Sequence, residues 1–93
     1  MSENVYAQIN DRSKLIFKKL VESYLKTGSP AGSETIMKMG GLNLSSASIR
    51  SILSNLQKEG LLYAPHRSAG RMPTEKGMRF FVFVIDGILL NGI

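Results

Sequence analysis

The chain has 93 residues, a formal net charge of +5, one histidine and no cysteine. A chain of this length forms one domain with a single modest core, and its composition excludes a disulfide framework, a cysteine-containing zinc site and a histidine-rich metal site. The first residues do not follow the pattern of a signal peptide, so none is expected. The sequence contains none of the stretches of about 20 apolar residues that cross a bilayer, so a cytoplasmic protein with no membrane contact is expected.

Residues 1–9 show no helical periodicity and are predicted to be a flexible lead-in. Asn10 or Asp11 is a suitable N-cap for a first helix. Gly28 is typical of a helix C-terminus, and Pro30 follows it. Apolar residues recur between these ends at helical spacing and predict a broad buried stripe. Its members are Ile16, Phe17, Leu20, Val21, Tyr24 and Leu25.

A short second helix is predicted from Glu34 to about Met39, with Ser33 as its N-cap. Gly40 and Gly41 stop it, and a connector that buries Leu42 and Leu44 follows. Ser45 or Ser46 then caps a third helix that reaches Glu59. Its inner face is predicted to contain Ile49, Ile52, Leu53 and Leu56.

Beyond Gly60 the pattern favours two short strands, 61–64 and 71–72, joined by a polar loop. Thr74 is the expected N-cap of a last helix, whose apolar spacing predicts that Met78, Phe81 and Val82 pack inward. The fold class is therefore mainly α with a small β-hairpin. The domain is expected to span 10–82, and 83–93 to be an apolar helical extension or a truncated linker to a missing domain.

The second and third helices, joined by a glycine-bearing turn, have the form of a helix-turn-helix, whose second helix enters the major groove of DNA. Basic charge supports this reading, because residues 38–79 contain seven Lys and Arg against two Glu. The start of the third helix offers small hydrogen-bonding side chains and one arginine for base edges or phosphates. The candidate DNA-binding residues there are Ser46, Ser48, Arg50 and Ser51. The alternative is a capped, solvated surface helix.

The hairpin loop adds His66, Arg67 and Arg71 as candidate contacts to the phosphate backbone or the minor groove. The alternative is an ordinary solvated turn. Lys76 and Arg79 are further possible phosphate contacts. The sequence has no nucleophile–base set, phosphate loop or dinucleotide fingerprint, so neither an enzyme activity nor a cofactor is expected.

Four segments together resemble the N-terminal domain of the heat-inducible transcription repressor HrcA family. They are 24–33 (YLKTGSPAGS), 42–50 (LNLSSASIR), 56–62 (LQKEGLL) and, most distinctive, 65–77 (PHRSAGRMPTEKG). The resemblance implies a winged helix-turn-helix domain of a bacterial repressor of chaperone operons. It also implies an inverted-repeat DNA operator of the CIRCE type, a homodimer and the chaperonin GroEL as a partner. The implied DNA contacts fall on the same seven residues.

The chain departs from the family pattern at Ser46, where proline is usual, and at Ile52, Ser54 and Asn55, where polar or acidic residues are usual. These departures indicate a different base preference. Two other functions remain open from the sequence: a winged-helix protein-interaction module, and a truncated remnant that folds but does not repress.

Overall fold

A computed structural model of the chain describes residues 9–41, 43–67 and 70–85. Its elements, in chain order, are helices α1 (Asp11–Thr27), α2 (Ser33–Lys38) and α3 (Ser46–Lys58), strands β1 (Leu62–Tyr63) and β2 (Met72–Pro73), and helix α4 (Glu75–Phe80). A π-helical turn, Phe81–Ile85, continues α4. Of the predicted lead-in only Ile9 is described, and its side chain is buried in the core. Residues 86–93 of the predicted extension lie outside the described residues.

Both predicted ends of α1 are confirmed. The side-chain oxygen of Asn10 accepts the backbone N–H of Ser13 at 2.8 Å, which satisfies one of the unpaired donors of the first turn. Gly28 has a φ of 70°, and its N–H donates to the carbonyl of Tyr24 at 2.7 Å. Of the predicted buried stripe, Ile16, Phe17, Leu20 and Val21 are buried. Tyr24 is half-buried, and Leu25 is 58% exposed.

The predicted cap of α2 is wrong. Gly32 is the N-cap, without a side-chain hydrogen bond, and Ser33 is already the first helical residue. The reason is long-range: Ala31 exchanges two backbone hydrogen bonds with Arg71, of 2.8 and 3.1 Å. This contact fixes the chain in an extended form up to Ala31, so the helix begins directly after Gly32.

Helix α3 is anchored as predicted. The Ser45 hydroxyl oxygen accepts the backbone N–H of Ser48 at 3.1 Å, which identifies Ser45 as the N-cap. Ile49, Leu53 and Leu56 are buried, and Ile52 packs partly against the same core. In the connector before α3, Leu44 also packs partly against the core, whereas Leu42 lies outside the described residues.

The two strands form the predicted antiparallel hairpin, with Leu62 opposite Pro73 and Tyr63 opposite Met72. The bridge between Ala31 and Arg71 places the segment before α2 beside the hairpin. Strand β1 also packs against α3. The hairpin is therefore held on two sides, by α3 and by the link between α1 and α2.

Helix α4 closes the core through Phe80, which is fully buried and meets Phe17 of α1 edge-on with ring centroids 5.3 Å apart. The predicted inward position of Val82 is wrong, since this side chain is 41% exposed. The cause is Gly77, which is buried because α4 lies directly against the backbone carbonyl of Leu61. Met78 and Phe81 do pack partly against the core, as predicted. A glycine contributes nothing to an apolar pattern, so the pattern missed the buried positions Gly77 and Phe80.

Thr74 is the N-cap of α4, as predicted: its hydroxyl oxygen accepts the Gly77 N–H at 2.9 Å and donates to the Gly60 carbonyl at 2.6 Å. The architecture is thus a three-helix core with a β-hairpin and a further C-terminal helix. This arrangement confirms the predicted winged helix-turn-helix class. In the described part of the chain, no helix is long and apolar enough to cross a membrane.

Candidate nucleic-acid interface

One long side of α3 is turned away from the core. Ser48, Arg50 and Ser51 are exposed, and Ser46 is half-buried. Because an α-helix advances about 100° per residue, Ser51 lies near the middle of the exposed side, and Ser48 and Arg50 lie on its two flanks. The residues predicted from the sequence are therefore accessible, but they do not form one compact cluster.

The sequence reasoning missed the rest of this side. Ala47, Ser54 and Lys58 are exposed and lie three, four or seven residues from Ser51, so they share its face. The helical period that predicts the buried face of α3 also predicts which residues lie on the opposite face. The same spacing could therefore have identified these three residues from the sequence. Lys58 adds a cation at the C-terminal end of this surface.

The start of α3 is held by its own hydroxyls. Besides capping the backbone, the Ser45 hydroxyl donates to the Ser48 Oγ at 3.1 Å. Ser48 is therefore part of the helix cap, and its Oγ already has one protein partner. Ser51, one turn further along, is likewise exposed.

The hairpin loop presents His66 and Arg67, both exposed, as predicted for a surface loop. Its tip, Ser68 and Ala69, lies outside the described residues. Arg71 follows the loop and is half-buried. Its Nε donates to the Oε1 of Gln57 on α3 at 2.7 Å. This hydrogen bond connects the hairpin directly to the exposed helix and orients the guanidinium group.

Arg50 and Arg71 line one depression, between α3, the start of α2 and the hairpin. Leu53 and Gln57 follow Arg50 by three and seven residues, about one and two turns along α3, and so share its side of the helix. The depression also contains one carboxylate, that of Glu34. Two guanidinium groups from different elements therefore lie on the same side of the molecule, as a duplex contact requires.

Gly70 makes this approach possible. A Cβ atom built on Gly70 would overlap the backbone of Ala31 and the amide nitrogen of Gly32. Only glycine lets the end of the loop lie this close to the segment before α2. Because Arg71 is the next residue, this contact also fixes the position of the Arg71 Cα atom, from which the side chain extends.

The basic side chains near this surface have few acidic partners. Across the described residues, the ion pair between Arg79 and Glu75, at 3.0 Å, is the only one. Lys76 donates instead to the backbone carbonyl of Glu59 at 2.9 Å, at the end of α3. Lys76 and Arg79 are thus engaged within the protein, whereas Arg50 and Arg67 present their charge to solvent.

The chain is similar to known proteins over most of its length. The chain is 57% identical over 76 residues to the heat-inducible transcription repressor HrcA of Nitrobacter winogradskyi and to that of a Rhodopseudomonas palustris strain. It is 55% identical to HrcA of a Bradyrhizobium species. Each match covers 82% of this chain and 21% of the relative, so the chain spans about a fifth of the length of these curated relatives.

The fold also matches a solved structure. The crystal structure of a hypothetical protein at 2.2 Å resolution superposes with a TM-score of 0.82 at 34% identity, over 87% of this chain and 25% of that one. No family model matches the chain. The repressor relatives, the winged helix-turn-helix fold and the four sequence segments agree with one another. Over 82% of its length the chain is therefore similar to heat-inducible transcription repressors named HrcA, and it has a winged helix-turn-helix fold.

Proposed function

We propose that the chain is the operator-reading domain of a transcriptional repressor of heat-shock and chaperone genes. Helix α3 enters the major groove of an inverted-repeat operator of the CIRCE type, and the hairpin loop lies on the adjacent backbone. The observation that supports this most directly is that Arg50 of α3 and Arg71 of the hairpin line one depression.

The dimensions suit a major groove. The groove is about 12 Å wide and accepts an α-helix, whose diameter with side chains is about 10–12 Å. The outward side of α3 has small residues at its middle, such as Ser51 and Ser54, so its backbone can approach the base edges closely. Hydroxyls accept or donate hydrogen bonds, and the guanidinium group of Arg50 can bind guanine with two hydrogen bonds.

The hairpin supplies the backbone contacts. Arg67 is exposed in the loop, and Arg71 is oriented by Gln57 at the base of the hairpin. Phosphate contacts of this kind set the register of a protein on the duplex, and base contacts then determine sequence preference. We assign Arg67, Arg71 and His66 to the first role, and Ser46, Ser48, Arg50 and Ser51 to the second.

The family resemblance implies two partners besides DNA. An inverted repeat is bound by a two-fold symmetric protein, so a second copy of the chain or of the longer repressor would occupy the other half-site. The chaperonin GroEL is the other proposed partner. We further propose that residues 10–82 form the DNA-binding domain, that 1–9 lead into it, and that 83–93 lead out of it towards the rest of the repressor.

The proposal is tested by measuring how tightly the chain binds two duplexes. One contains the inverted repeat, and the other is a scrambled duplex of the same composition. We expect at least tenfold tighter binding to the inverted repeat, and binding to both that weakens steeply with salt because phosphate contacts release counterions. A gel shift or fluorescence anisotropy titration at several salt concentrations measures both. Equal affinity for the two duplexes would contradict operator recognition, and no binding to either would contradict the DNA-binding role.

A further inference from the structure

Helix α3 has a second depression on its other flank. It is lined by Arg12 of α1 together with Ser48, Ser51 and Asn55 of α3. Ser48 and Arg50 are two residues apart, so they leave the helix about 160° from each other. The depression that contains Arg12 and the one that contains Arg50 and Arg71 therefore lie on opposite flanks of the exposed side.

A helix in a major groove has one phosphodiester strand on each side, because the groove is bounded by the two backbones. On one flank of α3, Arg71 is already proposed to contact the first strand. Arg12 puts a guanidinium group on the flank that would face the second strand. Its side chain is exposed, and within the described residues it makes no ion pair.

We infer that Arg12, with the amide of Asn55 beside it, contacts the phosphate backbone of the strand opposite to the one that Arg71 contacts. This inference rests on the proposed function. The domain then holds both strands that border the groove, one through α1 and the other through the hairpin, with α3 between them. A phosphate is the ligand that suits the site, since Arg12 and Asn55 both offer N–H donors and a guanidinium group binds phosphate oxygens in pairs.

The stability of the fold does not require a basic residue at position 12. It is the second residue of α1, where the partial positive charge of the helix end disfavours a cation. Replacing it with alanine is therefore not expected to destabilise the domain, so a loss of binding would not reflect unfolding. Asp11, next to it, has the sign that favours the helix end.

The test compares Arg12→Ala with Lys26→Ala in the 93-residue chain on the inverted-repeat duplex. Lys26 is exposed on the same helix, about 21 Å further along its axis, so its removal causes the same loss of charge away from the site. We expect about tenfold weaker binding for Arg12→Ala with a salt slope reduced by about one phosphate, and less than a twofold change for Lys26→Ala. The preference for the inverted repeat over scrambled DNA is expected to stay unchanged.

Duplexes with single uncharged methylphosphonate linkages then assign the strand. Within one half-site, a linkage at the Arg12 site should weaken the unaltered chain but not Arg12→Ala. The linkages in that half-site to which Arg71→Ala is insensitive should lie on the other strand. The inference is overturned if Arg12→Ala binds like Lys26→Ala, or if both sets of linkages lie on one strand. Failure of the unaltered chain to bind any duplex would instead remove the proposed function, and this inference with it.

Discussion

Replacing Phe80 with alanine is expected to lower the free energy of unfolding by about 3–5 kcal/mol. Phe80 is fully buried, and its ring meets that of Phe17 at an interplanar angle of 71°, the edge-to-face geometry that aromatic pairs favour. Alanine would leave a cavity between α4 and α1 in a small core. Because domains are stable by only about 5–15 kcal/mol, much of the chain would then be unfolded at moderate temperature.

Phe83 is the matched control. It follows Phe80 by three residues, has the same side chain, and is 65% exposed. We expect Phe83→Ala to change the free energy of unfolding by less than about 0.5 kcal/mol. Urea denaturation followed by circular dichroism measures both variants. Similar losses for the two, or no loss for Phe80→Ala, would show that α4 is not part of the folding unit.

The second large effect is expected for DNA binding. The double substitution Arg50→Ala/Arg71→Ala should weaken binding to the inverted repeat by about 100-fold, since each arginine contact to a base or phosphate contributes about 1–3 kcal/mol. The two side chains line the same depression, so a duplex seated there would lose both. The fold should persist, because Arg50 is exposed and the hydrogen bond from Arg71 to Gln57 is at the surface.

The control removes the same two charges elsewhere. Lys26 lines a different depression with Leu25 and Met39, and Lys38 ends α2 beside Met39. We expect Lys26→Ala/Lys38→Ala to bind within about threefold of the unaltered chain, through the long-range field alone. Fluorescence anisotropy gives the affinities. A protein-interaction module would be indifferent to both pairs, and a non-specific polycation would lose affinity equally with either.

The parts of the fold that the sequence predicted are those with local causes. Asn10, Ser45 and Thr74 cap their helices through the backbone N–H three residues ahead, and that distance is visible in any sequence. The stripe at Ile16 and Phe17 follows the helical period, which is equally local. These signals were enough to place three helices and the hairpin in the right order.

The errors came from long-range contacts. Gly32 replaces Ser33 as the cap of α2 because Ala31 is paired with Arg71, forty residues away in sequence. Phe80 rather than Val82 faces the core because α4 packs through Gly77 against the backbone of another segment. Neither contact leaves a periodic trace in the sequence.

In the candidate interface, too, local features could be predicted from the sequence and long-range contacts could not. The polar side of α3 and the basic loop are readable as sequence segments, whereas their meeting through Gln57 and Arg71 is a property of the fold. Arg12 was not a candidate because it precedes the helix pair by more than twenty residues. Only packing of α1 on α3 places it beside Asn55.

The central claim is that the side of the domain formed by α3 and the hairpin is the one that meets a duplex. Titration of the ¹⁵N-labelled chain with the inverted-repeat duplex, followed by amide chemical shifts, tests it most directly. We expect the largest changes at α3 amides such as Ser51 and Ser54 and at Arg67, with little change around Leu25 and Met39. Changes concentrated at Leu25 and Met39, with the α3 amides unaffected, would contradict it.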